Sequence, residues 1–183
     1  MKAMLFSLGL ALSSSVSAMT VADVTFADRL DINDQQLYLD GAGLLRWKGI
    51  FKVYVAGFYR ETPDLGFDLN TDESQVLEIE YLRDVGADGF VKATIEGLKQ
   101  TLPANESLLQ WEAELSPFLA AYQDVSKGDR YRLSVFEDRF ELALNGQRLV
   151  LIDNPDLGRR LLGVWLGDQS PAQSLREALL AKN

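Results

Sequence analysis

Few side chains in the sequence could do chemistry, and one of the most informative is an arginine at the end of a predicted strand. Residues 75–83 alternate in polarity, which places Tyr81 and Arg83 on the apolar face. A guanidinium on a half-buried face needs an anion, because an unpaired buried charge is costly. Arg83 could therefore grip a ligand carboxylate, which arginine binds with two parallel hydrogen bonds. The alternative, which the 27 acidic residues favour, is an internal ion pair with Asp84, Glu80 or another acid.

Arg46 and Tyr54 are a second candidate pair, because they share parity on an extended stretch predicted from Leu44 to Arg60. In an uninterrupted strand, eight residues would separate them by about 26 Å. They could meet only if the chain bends near residues 48–49, or they could hold opposite ends of a long ligand. The structural alternative is a solvated arginine and a packed aromatic ring.

The composition excludes several kinds of chemistry. The 183 residues include neither Cys nor His, so there is no thiolate nucleophile, no disulfide and no Ser-His-Asp triad. We predict no metal and no cofactor. Asp31, Asn33 and Asp34 only faintly resemble a calcium loop, because the glycine and glutamate of that motif are missing, and a capped turn is predicted instead. The net charge of −9 argues against nucleic acid, and against an anionic bilayer unless a local basic patch intervenes.

The first residues have the pattern of a targeting segment. Lys2 is followed by an apolar run at 4–12 and by small residues ending at Ala18, which predicts a secretory signal peptide over residues 1–18. Nine apolar residues are too few to span a bilayer, which needs about 20. We therefore expect one domain over residues 19–183, exported to a bacterial periplasm, with no transmembrane segment after cleavage.

Strand and helix patterns occur in separate blocks along this domain. Strands are predicted at Val24–Phe26, Arg29–Ile32, Gln36–Leu39, Leu44–Arg60 and Gln75–Arg83, and again at Tyr131–Val135, Phe140–Leu144 and Arg148–Ile152. The dipeptide Asn145-Gly146 predicts a hairpin between the last two. Blocks of this kind favour an α+β fold in which helices pack on an antiparallel sheet.

Four helices are predicted from apolar spacing and from their end signals. The first presents the stripe Val91, Ile95, Leu98 and Leu102, and the second has Asn105 as its cap and kinks or restarts at Ser116-Pro117. The third begins at Asn154-Pro155 and stops at Gly167, and the fourth opens on a capping box at Ser170. All three tryptophans, Trp47, Trp111 and Trp165, are predicted to be core residues.

Several segments, in this order and spacing, resemble the chalcone isomerase-like family, especially its bacterial exported branch. They are LDGAGLLR (39–46), FKVYVAGFY (51–59), YLRDV (81–85), DVSKGD (124–129), and VWLGD (164–168) followed by SP (170–171) and SLREALL (174–180). The resemblance covers about residues 31–180. It implies an open-faced β-sandwich, a large antiparallel sheet covered by a layer of helices.

The resemblance implies two different functions. Plant chalcone isomerases cyclise a chalcone with an arginine, threonines, a tyrosine and an asparagine, whereas other members bind fatty acids through an arginine and a tyrosine. Arg46 matches the catalytic arginine and would be the catalytic residue of an isomerase, and Tyr54 stands at the strand threonine. Phe90 replaces the helix tyrosine, Gly97 replaces the asparagine, and Gln173 falls near the second threonine. The polarising network is therefore largely absent.

The sequence thus predicts a non-catalytic protein that binds a small amphipathic anion, a fatty acid or a phenolic compound, between sheet and helices. The predicted ligand-binding residues are Arg46, Tyr54, Tyr81 and Arg83. Two alternatives remain open: an intramolecular lyase-type isomerase with an unknown substrate, and a periplasmic interaction protein without a small ligand. The sequence leaves the oligomeric state undetermined.

Overall fold

Nine strands, four α-helices and one short 3₁₀ helix form in residues 18–181, the part of the chain that the computed structural model describes. The strands are β1 (Ala18–Val21), β2 (Val24–Ala27), β3 (Arg29–Ile32), β4 (Gln35–Trp47), β5 (Phe51–Arg60), β6 (Gln75–Tyr81), β7 (Arg130–Val135), β8 (Phe140–Leu144) and β9 (Gln147–Ile152). The helices are α1 (Ala87–Thr101), the 3₁₀ helix (Leu108–Trp111), α2 (Glu112–Ala120), α3 (Pro155–Leu166) and α4 (Gln173–Leu179).

Strands β3 to β9 form one sheet in sequence order, and every neighbouring pair is antiparallel. The predicted Asn145-Gly146 hairpin is confirmed, with positive φ at both residues and β8 and β9 on either side. Strands β1 and β2 pair only with each other and form a separate hairpin. The block arrangement of strands and helices therefore produces the α+β fold that the sequence predicts.

The single stretch predicted from Leu44 to Arg60 is wrong, because the chain reverses between β4 and β5. Lys48 and Gly49 have φ values of 50° and 74°, and the Ile50 N–H donates to the Trp47 carbonyl at 3.3 Å. These are the features of a hairpin turn with two left-handed residues. The turn is difficult to predict from the sequence because strand-forming residues lie on both sides of it and only one glycine marks the reversal. The short strand predicted at 36–39 is the beginning of β4.

The sheet is covered on both faces, by different elements. Alternate side chains of β5 point in opposite directions: Ala56 and Phe58 join the core under the helices, whereas Val55 and Tyr59 join a second core. The β1–β2 hairpin closes this second core with Phe26, which is fully buried.

A charged network fixes the β1–β2 hairpin to the sheet. Arg130 donates to Glu78 at 3.0 Å and to Glu80 at 2.6 Å, and Arg132 donates to Glu78 at 2.9 Å. The Arg130 guanidinium lies 4.8 Å from the centre of the Phe26 ring. Because these charges satisfy one another, this face has a structural role.

Helix α1 packs against α3, and its buried stripe coincides only in part with the predicted one. Leu98 is fully buried as predicted, whereas Val91 and Ile95 are only half-buried. Phe90, Thr94 and Gly97 are buried as well. Thr94 and Gly97 were not predicted to be buried because the prediction used the spacing of apolar side chains, and neither residue has a large apolar side chain. Helix α3 begins as predicted, because the Asn154 side chain accepts a hydrogen bond from the Leu157 N–H.

Two other helix ends differ from the predictions. A capping box of Ser107 and Gln110 opens the 3₁₀ helix, so Asn105 is not the cap. Helix α2 runs through Pro117 without the predicted restart, and the break lies earlier, where the 3₁₀ helix becomes α2.

Helix α4 begins at Gln173, with Ala172 rather than Ser170 at the cap position. The Ser170 hydroxyl instead donates to the Val164 carbonyl and accepts from the Ala172 N–H. The predicted capping box at Ser170 is therefore wrong, because the Ser170 hydroxyl forms its hydrogen bonds within the connection between α3 and α4.

Trp47 is 55% exposed, so its predicted core position is wrong. Asn33 and Asp34 have positive φ values and form the turn between β3 and β4, as predicted. In residues 18–181, no acidic cluster could hold a metal ion, and no helix is long and apolar enough to cross a membrane.

Candidate functional site

A cavity of about 800 Å³ lies between the sheet and helices α1 to α3. Its deep wall is apolar and buried, with Phe118, Leu133 and Leu142 among its residues. Arg46, Lys48 and Arg83 line its other end and are exposed, so the cavity opens to solvent there. A large apolar cavity with a few polar groups at one end is typical of a site for an amphipathic small molecule.

A bulge in β5, in which Val53 is the extra residue, lies opposite Arg46 at the mouth. The pairing between β4 and β5 shifts between Leu45 and Arg46, so that Leu45 lies opposite Tyr54 and Arg46 opposite Lys52. A bulge re-aims side chains of its own strand, which explains how the consecutive residues Val53 and Tyr54 of β5 both line the cavity. Leu45 and Arg46 of β4 line it beside them. The bend near residues 48–49, one of the two arrangements that would bring Arg46 and Tyr54 together, is the one found, because β4 and β5 pair as a hairpin. The separation of about 26 Å for an uninterrupted strand therefore does not apply.

Tyr54 lies inside the cavity with its hydroxyl already engaged. The Trp165 indole N–H donates to this hydroxyl at 2.9 Å. Burial raises the pKa of Tyr54 to about 12, partly offset by the hydrogen bond from Trp165. Tyr54 therefore remains neutral at physiological pH and keeps a proton to donate.

Tyr81 also lines the cavity, and only 5% of it is exposed. Its ring contacts those of Tyr54 and Phe90 edge-on, at centroid distances of 5.7 and 5.2 Å. No hydrogen bond joins its hydroxyl to another residue in the part of the chain that the structure describes. Burial, with smaller effects from neighbouring tyrosines, raises its pKa well above 10.0. Tyr81 is therefore a buried neutral donor available to a ligand.

Arg83 is exposed, contrary to the predicted half-buried position. The strand ends at Tyr81, so the alternation on which that prediction rested does not extend to Arg83. The predicted alternative is wrong as well, because no ion pair joins Arg83 to any residue between 18 and 181. Arg83 lies at the mouth of the cavity, on the same side as Arg46.

The charges at the mouth are mixed. Arg46, Lys48 and Arg83 line it together with the exposed acids Asp84 and Glu96. Asp84 is engaged with the protein, because it accepts a hydrogen bond from the Lys127 N–H at 3.0 Å. The guanidinium of Arg46, like that of Arg83, has no ion-pair partner among the described residues. These cations are therefore available to an anionic head group.

Sequence reasoning missed two further hydroxyls in the cavity. The hydroxyls of Thr94 and Tyr122 are hydrogen-bonded at 2.9 Å, and both residues line the cavity. Thr94 stands one helical turn after Phe90, so a search of that face of α1 for polar residues would have found it. Tyr131 also lines the cavity, but its hydroxyl bonds to both backbone groups of Gln123.

Phe90, Gly97 and Gln173, which the resemblance matches to polar side chains of the isomerases, have other roles in this structure. Phe90 lines the cavity and offers no hydroxyl. Gly97 lies against α3, where an added Cβ would stand 2.5 Å from Cγ1 of Val164. Gln173 does not line the cavity, because its amide donates to the Asp168 and Ser170 carbonyls. None of these three positions could polarise a substrate in the cavity.

Comparisons with known proteins identify the family of this chain and support its fold. The profile of the chalcone isomerase-like family matches residues 18–181, so the chain belongs to that family. A search of curated proteins found no match. Among solved structures, a fatty-acid binding protein of Arabidopsis thaliana is similar, with a TM-score of 0.67 and 14% identity, covering 90% of this chain and 96% of that one. At this identity the likeness concerns the fold, and it confirms the predicted open-faced β-sandwich.

Proposed function

We propose that this chain, as a member of the chalcone isomerase-like family, is a non-catalytic protein that binds a fatty acid or a similar amphipathic anion. The observation that carries the proposal is the cavity of about 800 Å³, apolar at its deep end and open beside Arg46 and Arg83. The neighbour of similar fold is a fatty-acid binding protein, which supports the same ligand class.

The two ends of the cavity would hold different parts of the ligand. The hydrocarbon chain would lie against the deep wall, where each buried methylene contributes about 0.8 kcal/mol, or roughly fourfold in affinity. The carboxylate would lie towards the mouth, where Arg46 or Arg83 supplies charge and the Tyr81 hydroxyl supplies a neutral donor. Tyr54 would support the head group while it holds Trp165.

An isomerase remains the second candidate, because of one observation. The hydrogen-bonded hydroxyls of Thr94 and Tyr122 lie in the cavity and could polarise a phenolic substrate. Phe90 and Gly97 provide no such group, and losing one polarising donor typically costs about 10²–10³ in rate. We therefore expect no chalcone cyclisation above background. Stereoselective turnover that Arg46→Ala abolishes would establish the isomerase instead.

We also propose that the protein is exported and that it belongs to the bacterial exported branch of the family. Residues 1–18 would be the signal peptide and 19–183 the mature domain in the periplasm. Residues 1–17 lie outside the part that the structure describes. Cleavage after Ala18 would leave Met19, which pairs with Phe26 in the β1–β2 hairpin. N-terminal sequencing of exported protein tests the proposal, and a sequence that still begins at Met1 would contradict it.

The test of binding combines extraction with titration. Lipids extracted from protein purified after export should contain fatty acids, and the delipidated protein should bind carboxylates with an affinity that rises with chain length. Fatty alcohols of equal length should bind more weakly, because they lack the charge. A flat phenolic acid tests the alternative ligand class.

A matched pair of variants locates the site. Ala93→Trp introduces a large ring into the cavity wall and should weaken binding, whereas Ala113→Trp changes an exposed position away from the cavity. Equal binding by both variants, or an affinity independent of chain length, would show that the cavity is not the binding site.

A further inference from the structure

The turn between β4 and β5 presents apolar side chains to solvent. In residues 46–52, which we call the hairpin tip, Trp47 is 55% exposed, Ile50 is 70% exposed and Phe51 is 48% exposed. The other large exposed apolar residues between 18 and 181 lie in four separate segments, at Tyr38, Leu65, Leu109 and Leu151. A cluster of this kind needs an explanation, because exposed apolar groups that gather in one place mark interaction sites.

The hairpin tip is also basic. Arg46, Lys48 and Lys52 are all exposed, and residues 46–52 contain no acid, although the whole chain carries a net charge of −9. The Lys48 ammonium lies 4.4 Å from the centre of the Trp47 ring. The tip is therefore the local basic patch without which an acidic protein would be repelled by an anionic surface.

The backbone holds these side chains in place. Lys48 and Gly49 form a two-residue turn, and Trp47 and Phe51 face each other across the strands with ring centroids 5.9 Å apart. The aromatic pair and Ile50 are thus presented together at the end of two strands that continue into the sheet. No folding of the tip is needed before it can bind a surface.

The hairpin tip adjoins the opening of the cavity. Arg46, Trp47 and Lys48 belong to the tip and also line the cavity. Whatever surface the tip contacts is therefore brought to the opening through which a ligand must enter or leave.

We propose that the hairpin tip docks onto an anionic phospholipid bilayer, which places the opening of the cavity at the lipid surface. Tryptophan and phenylalanine favour the interface between head groups and acyl chains, and flanking lysines and arginines reach the lipid phosphates. A basic segment is attracted to anionic lipids in particular. Asp84 and Glu96 at the mouth reduce that attraction. Because the attraction of the basic tip is electrostatic, binding should weaken with added salt.

The test is flotation with vesicles, in the absence of fatty acid. Each protein begins at Ala18, because the apolar run at 4–12 would itself bind lipid and the described fold lies wholly in residues 18–181. Vesicles of phosphatidylglycerol and phosphatidylcholine should carry the protein to the top of the gradient, whereas vesicles of pure phosphatidylcholine should carry much less.

Matched variants assign this binding to the hairpin tip. Ile50→Ser/Phe51→Ser should weaken vesicle binding about tenfold or more, whereas Leu65→Ser/Leu109→Ser removes exposed apolar groups elsewhere and should leave it unchanged. Lys48→Glu/Lys52→Glu should have a similar effect, with Lys92→Glu/Lys99→Glu on α1 as the control for charge. Lipids brominated near the head group should quench the fluorescence of Trp47, and that quenching should be absent in Trp47→Phe.

Three results would overturn the proposal. The first is a failure of the unaltered protein to bind anionic vesicles at low salt, and the second is equal binding by the tip and control variants. The third is sedimentation showing a dimer that the tip substitutions dissociate, without vesicle binding, which would assign the tip to a second copy of the chain. The titration with fatty acid in solution is independent, so failure of either proposal can be recognised without the other.

Discussion

The hairpin of strands β4 and β5 has one arginine near each of its two ends, and one of these arginines is buried whereas the other is exposed. Arg60 is 1% exposed, donates to Asp40 at 2.8 Å and donates to the Pro63 carbonyl at 2.8 Å. Arg46, near the hairpin tip, is exposed, and no ion pair joins its guanidinium to another residue in the range 18–181. The same residue type therefore serves the fold at one end and is available to a ligand at the other.

The difference teaches how to separate structural charges from functional ones in this fold. A buried guanidinium is tolerated only where the chain itself supplies anions and carbonyls, because desolvation of an unpaired charge costs several kcal/mol. An exposed guanidinium needs no partner for stability, so its position beside a cavity is not explained by folding. Replacement by alanine should consequently lower stability at the closed end, which holds Arg60, and should lower ligand affinity at the open end, which holds Arg46.

The largest expected effect is at the closed end. Arg60→Ala removes the guanidinium that is ion-paired with the buried Asp40 carboxylate and should lower the free energy of unfolding by about 3–5 kcal/mol. Arg46→Ala should change it by less than about 0.5 kcal/mol, because the side chain is exposed. Urea denaturation monitored by fluorescence measures both values.

A double variant controls for the cause of that loss. Replacing both partners, as in Arg60→Leu/Asp40→Leu, removes the buried charges together and should recover much of the stability. If Arg60→Ala proved as stable as the unaltered protein, the buried pair would not hold this end of the sheet, and the comparison between the two ends would fail.

The open end should show its effect in binding. Arg46→Ala/Arg83→Ala should lower the affinity for a long-chain fatty acid about tenfold, or roughly 1.4 kcal/mol, since charged hydrogen bonds at a partly exposed mouth are replaced by water. Calorimetric titration measures the affinity, and the affinity for the matching fatty alcohol should not change. Lys92→Ala/Lys99→Ala removes two exposed charges from α1 as a control. An equal loss of affinity in that control would mean that the arginines act through the general charge of the protein and not through contact with the ligand.

The fold could be predicted from the sequence wherever alternation and end signals agree. The hairpin at Asn145-Gly146 and the helix begun by Asn154-Pro155 were predicted correctly, because both signals are local. The reversal at residues 48–49 was not, since residues on either side favour strands and only the tertiary pairing of β4 with β5 selects the turn.

The site was predicted in its residue types but not in its geometry. Arg46, Tyr54, Tyr81 and Arg83, the candidate ligand-binding residues, all line the cavity. Whether each binds ligand stays a prediction. The bulge opposite Arg46 and the end of β6 before Arg83 depend on strand pairing, which the alternation of residues within one segment cannot reveal.

The same comparison can be repeated inside the cavity with two tyrosines. Tyr81→Phe removes a hydroxyl that bonds to no described residue, so stability should be unchanged, while affinity for a fatty acid should fall about fivefold, or roughly 1 kcal/mol. Tyr131→Phe removes a hydroxyl that bonds to the N–H and carbonyl of Gln123, so it should lower stability by about 1 kcal/mol. Thermal melts and titrations of both variants test this contrast. A destabilised Tyr81→Phe with unaltered affinity would make Tyr81 a structural residue like Tyr131.

The smallest expected effect is that of pH on binding. Burial raises the pKa of Tyr54 to about 12 and that of Tyr81 well above 10.0, so both keep their protons at neutral pH. A carboxylic acid is fully ionised above about pH 6, and arginine stays protonated throughout. Affinity should therefore be constant between about pH 7 and pH 9. A fall in affinity within that range would mean that a phenolate forms beside the ligand carboxylate.

Stability should respond to alkali in the direction set by these same tyrosines. Their folded pKa values lie above the unfolded value of 10.0, so the neutral rings favour the folded state fully below pH 10, and that contribution is lost as the pH rises towards about 12. The free energy of unfolding should be level from about pH 7 to 9 and should fall above pH 10. Tyr54→Phe should make that alkaline fall shallower, whereas Tyr38→Phe, at an exposed tyrosine, should leave it as steep as in the unaltered protein. An identical fall in both variants would show that Tyr54 does not contribute to the alkaline sensitivity, because a ring that cannot ionise would then have made no difference.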